Sequence, residues 1–175
     1  MLVESFQFTP VPNTNNEFSI ALSDSPHLTG KIFSETDNSY SLYDCGINEN
    51  IGVGEFRADY IFVAIYRKET DTKFSGQQIF KILYDFFPFF YGKSPLGIEV
   101  SWGFFSDNTP EFNKFVLNVP IEDAAFKTWT GQRAAERGFN KATILKMEFN
   151  NKGKGIMENS LKYAPVSVKF FNQKQ

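Results

Sequence analysis

Short apolar–polar alternations, each cut off by Gly, Asn, Asp or Pro, recur along almost the whole of this chain. A period of two is what a strand with one buried face requires, and the breakers supply the turns between strands. Leu2-Val3-Glu4-Ser5-Phe6-Gln7-Phe8 alternates ahead of Pro10 and Pro12, and Glu17-Phe18-Ser19-Ile20-Ala21-Leu22 alternates ahead of Pro26. Two further segments flank the polar gap in Thr29–Asn48, the second entering the turn Asp44-Cys45-Gly46-Ile47-Asn48. Tyr60-Ile61-Phe62-Val63-Ala64-Ile65-Tyr66 is continuously apolar, as expected of a strand covered on both faces. Residues 78–84, 97–102, 114–118, 142–149 and 165–171 complete a series that predicts an antiparallel β-barrel or sandwich. One helical region is expected. It is either a single helix over 124–137 capped by Gly138, or a strand over 124–129 followed by a short helix over 131–138. Thr128, Trp129 and Thr130 favour the split.

Composition narrows the class. The 175 residues are enough for one domain with a real core, and no linker or repeat divides 1–175. The 21 Phe raise aromatic content to 17%, which favours pleated, half-buried surfaces. A formal charge of −2 gives no overall basic field, so no nucleic-acid partner is expected. Cys45 is the only cysteine and His27 the only histidine, which removes disulfide frameworks, Cys/His metal clusters and most nucleophilic triads. No Gly-rich phosphate loop is followed by Lys-Ser/Thr, and Gly52-Val53-Gly54 is too short to act as one. Neither an enzyme nor a cofactor or metal is therefore expected. An acid follows Met1-Leu2-Val3 at once and no apolar run is long enough to span a bilayer, so a cytoplasmic protein without a transmembrane segment is expected.

Several residues invite a functional reading beside a plain one. Lys31 heads an alternating segment and reads by type as a solvated charge; Arg57 could pair with Glu55 or Asp59. Lys152-Gly153-Lys154-Gly155 reads as a basic hairpin turn, and Arg133 with Arg137 as a helical face shared with Glu136. Asp44 and Gly46 suit a tight turn in which the carboxylate accepts from local amides. Cys45 has no activating base beside it. In Asp85-Phe86-Phe87-Pro88-Phe89-Phe90-Tyr91-Gly92 the expected arrangement is a strand broken at Pro88 with aromatics facing a core; an exposed aromatic docking surface is the functional alternative.

The order Gly30-Lys31-Ile32, Ser34, Tyr40-Ser41-Leu42-Tyr43-Asp44, Gly46-Ile47-Asn48 resembles the signature of the tubby domain family, a Gly-Lys-Leu-Arg-Ser stretch and a strand running into Tyr-Asp-Asn-Gly-Val-Asn. Arg57, Asp59 and the run to Tyr66, then Phe74, Gly76 and 79–88, follow that family's order. So, more loosely, do Pro110, Asn113 and 115–118, then 124–129, Met147-Glu148-Phe149, Tyr163 and Pro165. The resemblance implies a closed antiparallel barrel with one or two short helices around a C-terminal apolar helix. Against that helix, residues 165–171 alternate like a strand, which leaves both forms open. It also implies a basic groove for phosphoinositide head groups at the inner face of the plasma membrane. Lys31 and Arg57 match two of the family's three phosphate-contacting cations, and the remaining one falls on Phe33. Two functions are expected: a noncatalytic module that binds phosphoinositide or another anionic ligand peripherally at membranes, or a protein-interaction or self-assembly module on the same barrel. The second would use aromatic surface at Phe33, Phe86, Phe87, Phe89, Phe90 and Tyr91.

Overall fold

The computed structural model describes residues 5–103, 105–150 and 162–173. The expected strand residues 2–4 and the basic loop at 152–155 lie outside the described residues. The chain is mainly β, with nine strands and four α-helices among the described residues, and divides into two compact units, Met1–Pro95 and Leu96–Gln175.

In the N-terminal unit six strands follow one another in chain order as an antiparallel meander: β1 (Phe6–Pro10), β2 (Glu17–Leu22), β3 (Gly30–Thr36), β4 (Ser39–Asp44), β5 (Glu49–Arg57) and β6 (Tyr60–Ile65). One face carries Ile20, Leu22, Ile32, Tyr40, Leu42, Ile61 and Val63, all buried. Across it lies helix α1 (Gly76–Tyr91), which buries Ile79, Phe80, Ile82, Leu83, Phe86 and Phe87. Burial of each such side chain contributes about 1.5–3 kcal/mol.

Residues 78–84 are thus helix where the sequence reading expects a strand. The phenylalanines pull that expectation towards β, but Ile79, Phe80, Leu83, Phe86 and Phe87 recur at spacings of three and four and form one buried helical stripe. Ser75 and Gln78 close a capping box at its start, each side chain meeting the other's backbone N–H. Pro88 sits in the last turn, and Gly92 ends the helix in the left-handed conformation (φ 68°). Strand β5 is absent from the sequence reading because Gly52 and Gly54 lower its apparent β character. Both glycines are sites of close packing: a Cβ on Gly52 would lie 2.9 Å from Leu83 Cδ1, and one on Gly54 2.4 Å from the Tyr40 ring. In β6 burial alternates, with Ile61 and Val63 buried and Phe62 and Ala64 partly exposed, so the strand is closely covered on one face rather than both.

The C-terminal unit pairs β7 (Gly97–Trp102), β9 (Tyr163–Phe171) and β8 (Lys141–Phe149) antiparallel, with β9 in the middle. Helices α2 (Asn108–Phe115), α3 (Ile121–Lys127) and α4 (Trp129–Glu136) lie between β7 and β8 in the chain. Val166, Val168 and Phe170 of β9 are fully buried, and Phe126 of α3 meets the Phe170 ring at 5.1 Å. Asn113 of α2 binds β9 through both ends of its amide, donating to Tyr163 O (2.9 Å) and accepting from Tyr163 N–H (2.8 Å).

Two expectations change here. Residues 114–118 are not a strand but the end of α2 and the turn after it. The 124–137 region holds neither one helix nor a strand followed by a helix. Two helices break at Thr128, whose hydroxyl accepts from Gly131 N–H to cap α4. The helices approach so closely that a Cβ on Gly131 would lie 2.1 Å from Ala125 O. Residues 165–171, left open between strand and helix, belong to strand β9, as their alternation suggests, and among the described residues no C-terminal helix fills a barrel. Within each unit the strands form an open row, and the sheet is not closed into a barrel among the described residues. No described helix is long and apolar enough to cross a membrane.

Candidate functional site

The residues singled out by sequence fall on two sides of the N-terminal sheet. Cross-strand partners share a face, so the register assigns each of them. On the face away from α1, Ser19, Lys31 and Tyr43 form one row, and Glu17, Phe33, Ser41, Val53 and Ala64 the next. Ser39, Glu55 and Phe62 follow, and Arg57 lies opposite Tyr60. Lys31, Phe33 and Arg57 are therefore on one face. Lys31 and Arg57 nonetheless sit at opposite ends of it, six residues apart along the strands, or about 20 Å.

Each cation is answered locally. Lys31 Nζ lies 3.5 Å from Glu17 Oε2 across the β2–β3 pair. Arg57 donates from Nε and Nη2 to the two oxygens of Glu55, both at 3.0 Å, and its guanidinium lies 3.8 Å above the Phe62 ring. The Lys31 and Arg57 side chains keep 41% and 39% exposure, so each ion pair is worth under about 1 kcal/mol. Phe33 packs edge-on against Tyr43 with ring centroids 5.0 Å apart. The outcome is a charge-balanced, aromatic sheet face.

The α1 aromatics divide differently. Phe86 and Phe87 are fully buried and belong to the core. Phe89 is 48% exposed and stands beside the edge strand, 5.3 Å from the Phe8 ring and 5.9 Å from Phe18. Phe90 is half-buried against Phe18 and Phe86. Tyr91 stacks on Phe56 at 5.1 Å, and its buried hydroxyl has no hydrogen-bond partner among the described residues. Desolvation raises its pKa.

The Asp44 turn behaves as its residues predict: Asp44 Oδ1 accepts from Gly46 N–H at 2.8 Å. Its other oxygen accepts from the Thr72 hydroxyl at 2.6 Å, which the sequence reading does not foresee. Cys45 is exposed, yet partial desolvation pushes its thiol pKa up, with Lys31 opposing and Asp44 adding to the rise. That direction is opposite to the one an activated thiolate needs.

Glu17, Tyr43 and Phe62, which complete the outer face, are not among the site residues picked from sequence, whereas Glu55 is one of the two partners the sequence reading offers Arg57. Folding β3 back on β4 around a tight turn places Tyr43 opposite Lys31, so that signal was available in the alternation phase. The C-terminal unit holds a separate open recess of about 520 Å³ lined by Glu122, Asp123, Phe126, Lys141 and Phe171, none of them a sequence candidate. No family model, curated protein or solved structure compared with the chain matches it.

Proposed function

We propose that this chain is a noncatalytic protein-interaction module that self-assembles through its N-terminal unit. The observation that carries the reading is the finish of the outer sheet face. Its two candidate phosphate ligands are each held by a carboxylate of the same face and lie about 20 Å apart along the strands. A phosphate needs donors that converge on its oxygens within hydrogen-bond reach, and these two do not converge. Phe33, Tyr43, Phe62 and Arg57 are instead the residue types enriched at the centres of protein interfaces. An interface that excludes water gains from rings and a neutralised guanidinium, whereas an anionic membrane draws on unpaired cations.

Two measurements on the full chain test this. Analytical ultracentrifugation should give a weight-average mass that rises with protein concentration. Co-sedimentation with phosphatidylcholine vesicles, with and without phosphoinositide, should give no phosphoinositide-dependent binding. Phosphoinositide-dependent binding abolished by Lys31→Ala/Arg57→Ala would overturn the reading in favour of peripheral lipid binding. A mass that stays monomeric at all concentrations would overturn self-assembly.

A further inference from the structure

An antiparallel edge strand turns every second residue's backbone outward, and the register of β1 identifies which residues these are. Val11 N–H donates to Glu17 O at 2.9 Å, and Ser23 N–H donates to Ser5 O at 3.3 Å. Those bonds mark 11/17 and 5/23 as hydrogen-bonded pairs, so alternation makes 7/21 and 9/19 hydrogen-bonded as well. Phe6, Phe8 and Pro10 therefore direct their backbone groups away from β2. The proline occupies an outward position, where its missing N–H costs the β1–β2 ladder nothing. The open edge then offers the N–H and C=O of both Phe6 and Phe8, plus the Pro10 carbonyl.

Strands β1 and β8, each at an edge of its own unit, are finished in opposite ways. Strand β8 carries two register shifts, between Ile144 and Lys146 and between Met147 and Phe149, and bears Lys141, Lys146 and Glu148. Bulges and edge lysines are devices that block strand addition. Strand β1, Phe-Gln-Phe-Thr-Pro, has no charge and no register shift against β2. Beside it Phe89 is 48% exposed and touches Phe8, so apolar surface flanks the unpaired backbone. Among the described residues no strand pairs with that edge.

We infer that β1 is a self-association edge, on which β1 of a second copy pairs antiparallel about a two-fold axis through Gln7. The inference rests on the reading of the chain as an interaction module and adds to it a contact at the sheet edge, distinct from the outer face. The hydrogen-bonding groups select the register. With Phe6 opposite Phe8 of the second copy, both outward N–H groups and both outward carbonyls find partners on each side, giving four bonds. A register centred on Phe8 also forms four bonds but strands both Phe6 carbonyls opposite Pro10, which has no N–H to give. The selected register puts the Phe6 and Phe8 rings of the two copies side by side on the helix-facing side, next to both Phe89 rings. Having no charge, the edge meets its own copy without repulsion.

Gln7 of each copy then forms a non-hydrogen-bonded pair on the axis, with Cα atoms about 4.5 Å apart. That is within the span of a disulfide. Thr9 residues of the two copies would be about 13 Å apart, beyond it. Both positions are exposed, so neither substitution threatens the core. In a Cys45→Ser background, Gln7→Cys should form a disulfide-linked dimer under mild oxidation roughly tenfold faster than Thr9→Cys. In the unlinked protein, Gln7→Lys should weaken self-association about fivefold by placing like charges opposite one another. Equal or slower linking of Gln7→Cys, in a protein whose mass still rises with concentration, would overturn the β1 edge while leaving the interaction reading intact. A concentration-independent monomer would overturn both.

Discussion

Placing a methyl group on Gly54 tests the central packing of the N-terminal unit. An ideal Cβ there lies 2.4 Å from two ring carbons of Tyr40 and 2.6 Å from its oxygen. A carbon–carbon contact relaxes to about 3.5 Å or more, so the ring must shift by about 1 Å. It has little room. Tyr40 is fully buried, its ring lies 4.8 Å from that of Phe86, and its hydroxyl donates to Leu83 O inside α1. Overpacking of this kind costs about 1–3 kcal/mol. A shift that also breaks the hydroxyl bond adds about 1–3 kcal/mol for the stranded polar groups. Gly54→Ala should therefore destabilise by about 2–5 kcal/mol, lowering the thermal midpoint by roughly 5–15 °C. Urea and thermal unfolding followed by far-ultraviolet circular dichroism would measure it. Gly103→Ala is the matched control, since a Cβ there meets nothing within 4 Å. A loss under about 0.5 kcal/mol for Gly54→Ala, equal to the control, would refute the packing of Tyr40 over β5.

Two further predictions concern stability. Gly131→Ala should destabilise the C-terminal unit by more than about 3 kcal/mol, because its methyl meets the Ala125 carbonyl at 2.1 Å and backbone cannot step aside as a side chain can. Both tryptophans, Trp102 and Trp129, lie in that unit, so their fluorescence should report its loss in a urea titration. Burial raises the Tyr40 pKa well above its ordinary value, so in alkali the unfolded chain gives up that proton before the folded one. Stability should therefore be fully present below about pH 10 and fall as pH rises beyond it, with Tyr40→Phe giving a shallower alkaline slope in urea midpoints.

Much of the strand framework was legible because its signal is local. The alternation of Glu17–Leu22, Gly30–Thr36 and Ser39–Asp44 is imposed by one buried face, and the breakers between them form the turns. What misled was composition standing in for period. Phenylalanine suits strands in general, but Ile79, Phe80, Leu83, Phe86 and Phe87 recur at helical spacing behind a Ser75-x-x-Gln78 box, and α1 follows the spacing. Glycine misled in the other direction. Gly52 and Gly54 hide a nine-residue strand whose lack of side chains admits α1 and Tyr40, a reason that exists only once the helix is in place. Barrel closure was not readable at all, since it depends on which edges meet rather than on any residue pattern. For the candidate site, sequence reached Lys31, Phe33 and Arg57 but not the offset between them. That offset emerges only from the register across three strands.

The Gly30–Asn48 block, which carries the family resemblance, has a structural account that changes where ligand chemistry should be sought. A Cβ on Gly30 would meet Phe74 Cζ at 3.3 Å, and Cys45 N–H donates to Thr29 O at 2.8 Å. Asp44 holds both its own turn and Thr72, and Thr72 in turn accepts from Phe74 N–H at 3.2 Å. Phe74 directly precedes Ser75, the cap of α1. The glycine and aspartate of the block thus fasten the start of the helix to one end of the β3–β4 hairpin. A residue type needed for such fastening would be present whether or not an anion ever bound, because an unsatisfied buried carboxylate or a crowded Cβ destabilises the fold directly. Lys31 and Phe33 differ from these, since they point to the opposite face and contribute nothing to that joint. The folding requirement thus explains Gly30 and Asp44 and leaves the outward residues as the ones free to carry function. Their chemistry, two cations each paired with a carboxylate among rings, is what the proposed interaction module would draw on.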